Sequence, residues 1–251
     1  MALPWRVVWV TGASTGIGAE IAQQLAAAGV TVATSARSAD TLRENAAANT
    51  QLRPYPLDVT DAAEVEKTFH CIEAELGPVD LIIAGAATYK AVSAAQIVPQ
   101  EFETLLRVNY LGVINVLAAA LPRYRARRGG HISWIASVAG YRGLPQAAAY
   151  GPTKAALINL AESLQPELAA DGVTVSVINP GFVKTPMTEA NDFEMPFLME
   201  VKDAAAATIA GLAKKKFEVA YPTPFVAILK IARMLPYAVF FPLIRRFVLK
   251  R

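Results

Sequence analysis

TGASTGIG, from Thr11 to Gly18, follows the short apolar run RVVWV at 6–10 and opens an alanine-rich stretch at 17–28. Its glycines stand where a strand would hand over to a helix. Glycine lacks a Cβ, so it permits both a tight turn and a close backbone approach to a ligand. A helix N-terminus adds unpartnered N–H groups and the positive end of a dipole. Together these features suit the pyrophosphate of a dinucleotide. The plainer alternative is an ordinary glycine-rich turn, and the strand–turn–helix setting favours the phosphate reading.

Outward from this turn the rhythm repeats. Segments 6–10, 30–35, 79–84, 130–135 and 173–178 are β-branched or strongly apolar, bounded by Gly, Pro or Asp, and read as strands. Segments 17–28, 62–76, 100–121 and 149–170 read as helices between them. Strands alternating with helices predict right-handed βαβ units and a parallel sheet covered on both faces. No linker precedes residue 185 and no repeat is visible, so one domain is expected over 1–220. A proline-, Met- and Phe-containing excursion falls at 185–201, and an apolar, basic extension at 221–251.

The chain has 251 residues, 54% hydrophobic and 18% charged, with a formal net charge of +3. That is a globular profile, too weakly charged to argue for nucleic acid. One cysteine and two histidines make neither a disulfide framework nor a zinc set, and no metal is expected. The N-terminus does not read as a signal peptide, and no uninterrupted apolar window reaches the ~18 residues of a spanning helix. The expected location is the cytoplasm, with the membrane surface as the alternative that the extension raises.

The spacing Gly-x-x-x-Gly-x-Gly, in place of Gly-x-Gly-x-x-Gly, resembles that of the short-chain dehydrogenase/reductase family, in its single-domain branch. The resemblance spans about residues 5 to 188. It implies a Rossmann-type doubly wound α/β fold and a nicotinamide cofactor. Thr11, Gly12, Ser14, Thr15, Gly16, Ile17 and Gly18 would cradle the phosphates. The second strand ends Thr34-Ser35-Ala36-Arg37-Ser38, with no acid to hold a ribose 2′-OH. Ala36 stands where NAD-users of the family usually carry Asp. Arg37 can pair with a 2′-phosphate, aided by Ser14 and Ser38, so NADP(H) is expected over NAD(H). A solvated surface charge is the bland reading of Arg37. Asp58 matches the family's adenine contact or caps the helix starting near Asp61. Val59, Gly85 and Val183 join the cofactor contacts by the same resemblance, as do Pro180, Gly181 and Thr185, which match the segment closing over the nicotinamide.

Tyr150-Gly151-Pro152-Thr153-Lys154 puts a phenol and an ammonium four apart, on one helix face. A nearby cation favours the phenolate and lowers a value that is otherwise near ~10. Ser137 lies thirteen positions before Tyr150, the separation of the family's catalytic serine and tyrosine, and would hold the substrate oxygen. Asn109 matches the helix asparagine that anchors a water relay to Lys154. Where the family usually reads Asn-Ala-Gly, this chain has Gly85-Ala86-Ala87, which removes a hydrogen bond between neighbouring strands.

The expected reaction interconverts a carbonyl and a secondary alcohol, with Tyr150 as acid/base. An apolar wall of Tyr89, Tyr141, Leu144, Met187, Phe193, Met195, Phe197, Leu198 and Met199 points to a lipophilic small-molecule substrate, or to packing on the body or on a second subunit. The family implies a homo-oligomer, dimer or tetramer. Segment 221–251 holds six Lys or Arg and no Asp or Glu. It suits either the membrane interface or a cover over the pocket or a subunit contact. The alternative function is a silent nucleotide-binding or membrane-surface protein on the same fold; the intact Ser137, Tyr150, Lys154 and Asn109 argue against silence.

Overall fold

The structure is a computed structural model that describes residues 3–47, 49–189 and 194–249. Seven parallel strands form one sheet: β1 Val7–Thr11, β2 Thr31–Ser35, β3 Leu52–Pro54, β4 Leu81–Ala84, β5 His131–Ile135, β6 Thr174–Pro180 and β7 Glu218–Tyr221. Their order is β3-β2-β1-β4-β5-β6-β7, every pair parallel. Order reverses between β1 and β4, and the crevice beyond the carboxyl ends of these strands is where such sheets bind ligands.

The connecting helices are α1 Gly16–Ala27, α2 Ala39–Ala47, α3 Ala62–Leu76, α4 Pro99–Leu106, α5 Gly112–Ala126 and α6 Tyr150–Ala170. They continue as α7 Pro186–Glu189, α8 Val201–Ala213, α9 Thr223–Met234 and α10 Tyr237–Phe247. Side chains alternate across each strand. Val7 and Trp9 of β1 join one core with α3, α5, α6 and Phe225 of α9, while Val8 and Val10 join the other with α1, α2 and α8. Both faces are therefore covered, as the unbroken apolar strands predict.

Two elements differ from the expected pattern. Strands β3 and β7 have three and four residues, too few for periodicity to register. The helix expected over 100–121 is longer: α4 and α5 run through a π-helical turn at Arg107–Leu111 and continue past Pro122. A proline frees the carbonyl four residues back. Here that residue, Ala118, is exposed, so the carbonyl can meet water. By length and composition the joint helix could cross a membrane, but Val113, Val116, Leu117, Ala120 and Tyr124 lie in the core.

The extension does not begin outside the fold. Tyr221 is the last residue of β7, paired with Pro180, and Phe225 and Val226 of α9 are buried.

Candidate active site

Gly12 leaves β1 at φ +70°, and a Cβ there would lie 2.6 Å from the Gly85 carbonyl oxygen and 2.7 Å from the Ala86 nitrogen. A Cβ on Gly18 would lie 2.4 Å from the Gly12 carbonyl oxygen, so α1 sits directly on the turn. Thr15 caps α1 without a side-chain bond, and the first turn holds no acid. Its leading N–H groups are thus available to an anion. Asn45 of α2 ties the turn down from outside, its Nδ2 donating to the Ser14 carbonyl at 3.0 Å. Nothing in the sequence marked Asn45, because a polar residue on an outer helix has no signature of its own. Thr185 closes the other side, with its methyl 3.3 Å from where a Gly16 Cβ would stand. The β6 exit that carries Pro180, Gly181, Val183 and Thr185 therefore reaches the glycine turn. This cradle fits a pyrophosphate.

The departure at Gly85 has a steric cause. A Cβ there would approach the Thr11 carbonyl oxygen at 2.9 Å and Ile135 Cδ1 at 3.0 Å. The bond expected to be missing between strands is replaced: Thr11 Oγ1 accepts from Gly85 N–H at 3.1 Å and Ala86 N–H at 3.3 Å.

At the tip of β2, Arg37 and Ser38 are exposed, and the Ser38 and Thr41 hydroxyls lie 2.7 Å apart. Asp58 accepts from the Thr60 N–H at 2.9 Å and the Thr60 hydroxyl at 2.8 Å. The Thr60 backbone bond first, then its hydroxyl and Arg37, hold Asp58 below the usual carboxylate range against the opposing effect of burial. The cap of α3 is Asp61, which accepts from Glu64 N–H at 3.0 Å. Asp58 is therefore not the helix cap. Val59 is buried, its carbonyl accepting from Asn115 Nδ2 at 2.9 Å.

Tyr150 begins α6 and Lys154 follows one turn later. Ser137 leaves β5 and caps the short 3-10 turn Val138–Gly140, accepting from Ala139 N–H at 3.1 Å. Gly140 brings that turn onto α6, where a Cβ would lie 2.7 Å from the Lys154 carbonyl carbon. Ser137 is thereby brought close enough to Tyr150 to act on its phenol, while its Oγ donates to the Pro180 carbonyl at 3.4 Å. Tyr89 packs edge-on against Tyr150, ring centroids 5.2 Å apart.

Lys154 is 1% exposed, and burial pulls its ammonium down to about 7. Its Nζ donates to the Ile135 carbonyl at 2.8 Å and stands 5.4 Å from the centre of the Tyr150 ring. Burial pushes the Tyr150 phenol above its usual value, and the Ser137 hydroxyl pulls it partly back. The lowering expected from Lys154 is not what this arrangement gives, because the ammonium is turned to a backbone carbonyl and is itself desolvated.

Asn109 is fully buried in the π-helical turn. Its Oδ1 accepts from Thr88 N–H at 2.8 Å, and its Nδ2 donates to the Thr88 carbonyl at 3.0 Å and to Thr153 Oγ1 at 3.3 Å. It meets the neighbour of Lys154 and not Lys154 itself. Thr153 and the Ile135 carbonyl belong to the site although the sequence reading passed over them. The first lies inside the Tyr–Lys spacing and could have been noticed; the second is a main-chain group without a signature.

On the substrate side, Tyr89 is the wall residue that touches Tyr150. Tyr141 points elsewhere: it is buried, and its hydroxyl donates to Glu218 at 2.5 Å. Glu218 also accepts from Asn179 Nδ2 at 2.8 Å and from Lys230, which makes this cluster the joint between β6, β7 and α9. Phe197 stacks on Phe225 at 5.9 Å, and Phe182 does so at 5.5 Å. Met187, Phe197 and Leu198 are exposed, Leu144, Met195 and Met199 partly buried. Phe193 lies outside the described residues.

Comparison with known proteins places this geometry among oxidoreductases. The short chain dehydrogenase family matches over residues 6–195. An uncharacterized oxidoreductase of Myxococcus xanthus is 36% identical over 248 residues, covering 97% of this chain and 98% of the relative. The 3-oxoacyl-[acyl-carrier-protein] reductase of Escherichia coli is 36% identical over 188 residues, 74% of this chain and 76% of the relative. Among solved structures, an alcohol dehydrogenase of Thermococcus sibiricus complexed with 5-hydroxy-NADP superposes with a TM-score of 0.78 at 28% identity, over 86% of this chain and 95% of that one.

Proposed function

The chain belongs to the short-chain dehydrogenase family, and on that premise we propose that it is an NADP(H)-dependent oxidoreductase interconverting a carbonyl and a secondary alcohol on a lipophilic substrate. The observation that carries this reading is the meeting of Ser137, Tyr150 and Lys154 beside the glycine cradle. When bound, NADPH supplies the hydride that turns the carbonyl carbon into an alcohol carbon. Ser137 donates a hydrogen bond to the carbonyl oxygen and orients it. Tyr150 gives its phenolic proton to that oxygen as negative charge develops there, and takes it back in the oxidative direction. Lys154 Nζ stands 5.4 Å from the centre of the Tyr150 ring, and in its protonated form would offset the phenolate once that charge forms. Asn109 holds Thr88 and Thr153, and so fixes the loop and the helix turn on either side of the pair.

The NADP(H) preference rests on Arg37, exposed at the tip of β2, and on Ala36 in place of an acid at the end of that strand. It is supported by the NADP analogue in the Thermococcus relative. The carbonyl class is supported by the Escherichia coli reductase. Lipophilicity rests on the exposed apolar side chains of Met187, Phe197 and Leu198. The test is a panel of ketones of graded hydrophobicity, each offered with NADPH and with NADH, followed by loss of nicotinamide absorbance. The expected result is turnover with NADPH that improves with chain apolarity. Silence across the panel, or equal efficiency with NADH, contradicts the reading.

A further inference from the structure

The last two helices are anchored by few residues. Helix α9 buries Phe225 and Val226 and packs Leu229 against the core, α10 buries Phe240 alone, and most of the other side chains are exposed. On α9, Ile228, Ile231 and Met234 recur every three residues with 53%, 58% and 76% of their surface exposed. On α10, Tyr237, Phe241 and Phe247 are 68%, 52% and 68% exposed. An apolar face of this extent marks an interaction site.

The hairpin is nonetheless a built element. Arg142, five positions after Ser137, donates from Nη1 to the carbonyls of Ala232, Arg233 and Leu235 at 2.8, 2.8 and 2.7 Å. Its guanidinium lies 4.9 Å from the centre of the Tyr237 ring and 4.0 Å from that of Phe240. These contacts close the end of α9 and fix the angle at which α10 leaves it.

Charge decides what covers the face. Arg233, Arg245 and Arg246 are exposed, Lys250 and Arg251 follow in sequence beyond the described residues, and 221–251 contains no acid. A two-fold contact with a second copy lays the same patch on both sides. It would set these arginines against their own duplicates, with no carboxylate in the segment to pair them. An anionic lipid surface satisfies both features at once, taking the apolar face into the acyl boundary and the cations among the headgroups. At ~1.5 Å per residue α10 is roughly half as long as the ~30 Å hydrocarbon core, so it lies in the interface and does not cross it.

We infer that the α9–α10 hairpin docks this protein on anionic membrane surfaces. The face adjoins the substrate side of the cleft through Phe225, which stacks on both Phe197 and Phe182. If the substrate is lipophilic, as the proposed function holds, docking brings the cleft to the phase in which such a substrate dissolves. The docking itself does not depend on that.

The experiment measures binding without substrate or cofactor, so its failure is distinct from failure of the catalytic reading. The full chain is sedimented with phosphatidylcholine vesicles and with vesicles that also contain phosphatidylglycerol, at low and physiological salt. The expected result is binding to the anionic vesicles that salt weakens. Met234→Asp combined with Phe247→Asp should weaken it at least tenfold. Arg245→Glu with Arg246→Glu should abolish the preference for phosphatidylglycerol. Both variants alter exposed side chains and should melt like the unmodified protein. No binding to anionic vesicles at low salt overturns the inference. So does a dimer in light scattering that Phe247→Asp dissociates, since that gives the face to a second copy.

Discussion

Arg37 and Lys154 are the two cations that the proposed function assigns to the site, and their surroundings are opposite. Arg37 stands in solvent at the end of β2, where its value lies in what it can reach. Replacing it with Ala removes a charge-assisted bond worth on the order of 1.5–3 kcal/mol. The kcat/KM ratio of NADPH to NADH should fall accordingly, roughly tenfold or more; an unchanged ratio removes Arg37 from the account. Lys154 is enclosed, with a backbone carbonyl for its hydrogen bond. Its folded value of about 7 lies below its ordinary 10.5. The unfolded chain therefore holds the extra proton between those values, and stability from this group rises with pH across that window. Lys154→Met should melt higher than the unmodified protein at neutral pH, with the gap closing towards pH 10. Melting curves recorded from pH 6 to 10 test this, and parallel curves contradict it.

At the scale of elements, the candidate site depends on close contacts that glycine permits. The turn after β5 lies on α6 because Gly140 has no side chain. Gly140→Ala drives a Cβ against backbone that cannot yield cheaply, so a loss of about 1–3 kcal/mol is expected, as for other overpacked cores. Turnover should fall with it, since the same turn aims Ser137 at Tyr150; denaturant unfolding together with kcat reads both. Five strands were legible from their apolar runs, and four helices from the stretches between them. What escaped was short or disguised: β3 is three residues ending in proline, and β7 is four. Pro122 concealed the continuation of α5 through a carbonyl that has water to turn to. The glycine turn and the juxtaposition of Ser137, Tyr150 and Lys154 were legible because the family pattern they match is one of spacing. Main-chain partners such as the Ile135 carbonyl were not. Tyr141 differs from the expectation for a related reason: sequence gives its position near Ser137 but not its direction, which the partly buried Glu218 sets.

The whole molecule is a sheet whose carboxyl edge carries the candidate site and whose opposite end carries packing. His131 belongs to that other end, at the start of β5, with Nε2 2.8 Å from Ser176 Oγ and Nδ1 without a partner. Burial first, then Lys215, pulls it from 6.5 down to about 4. The unfolded state therefore takes up a proton between these values that the folded state refuses, and stability is lost as pH falls from 6.5 to 4. On this basis the group accounts for on the order of 3 kcal/mol of acid sensitivity. His131→Gln should flatten the stability curve over that range while leaving turnover at neutral pH intact. An unchanged acid limb would place the sensitivity elsewhere.

The central claim is that this molecule moves a proton through Tyr150 while a bound nicotinamide moves a hydride. Its most direct test is NADPH-linked ketone reduction by the unmodified chain and by Tyr150→Phe, with NADPH binding measured on the same samples. The account predicts turnover in the unmodified chain, a fall of about 10²–10⁴-fold in kcat in the variant, and equal cofactor affinity in both. Turnover by Tyr150→Phe close to that of the unmodified chain contradicts it.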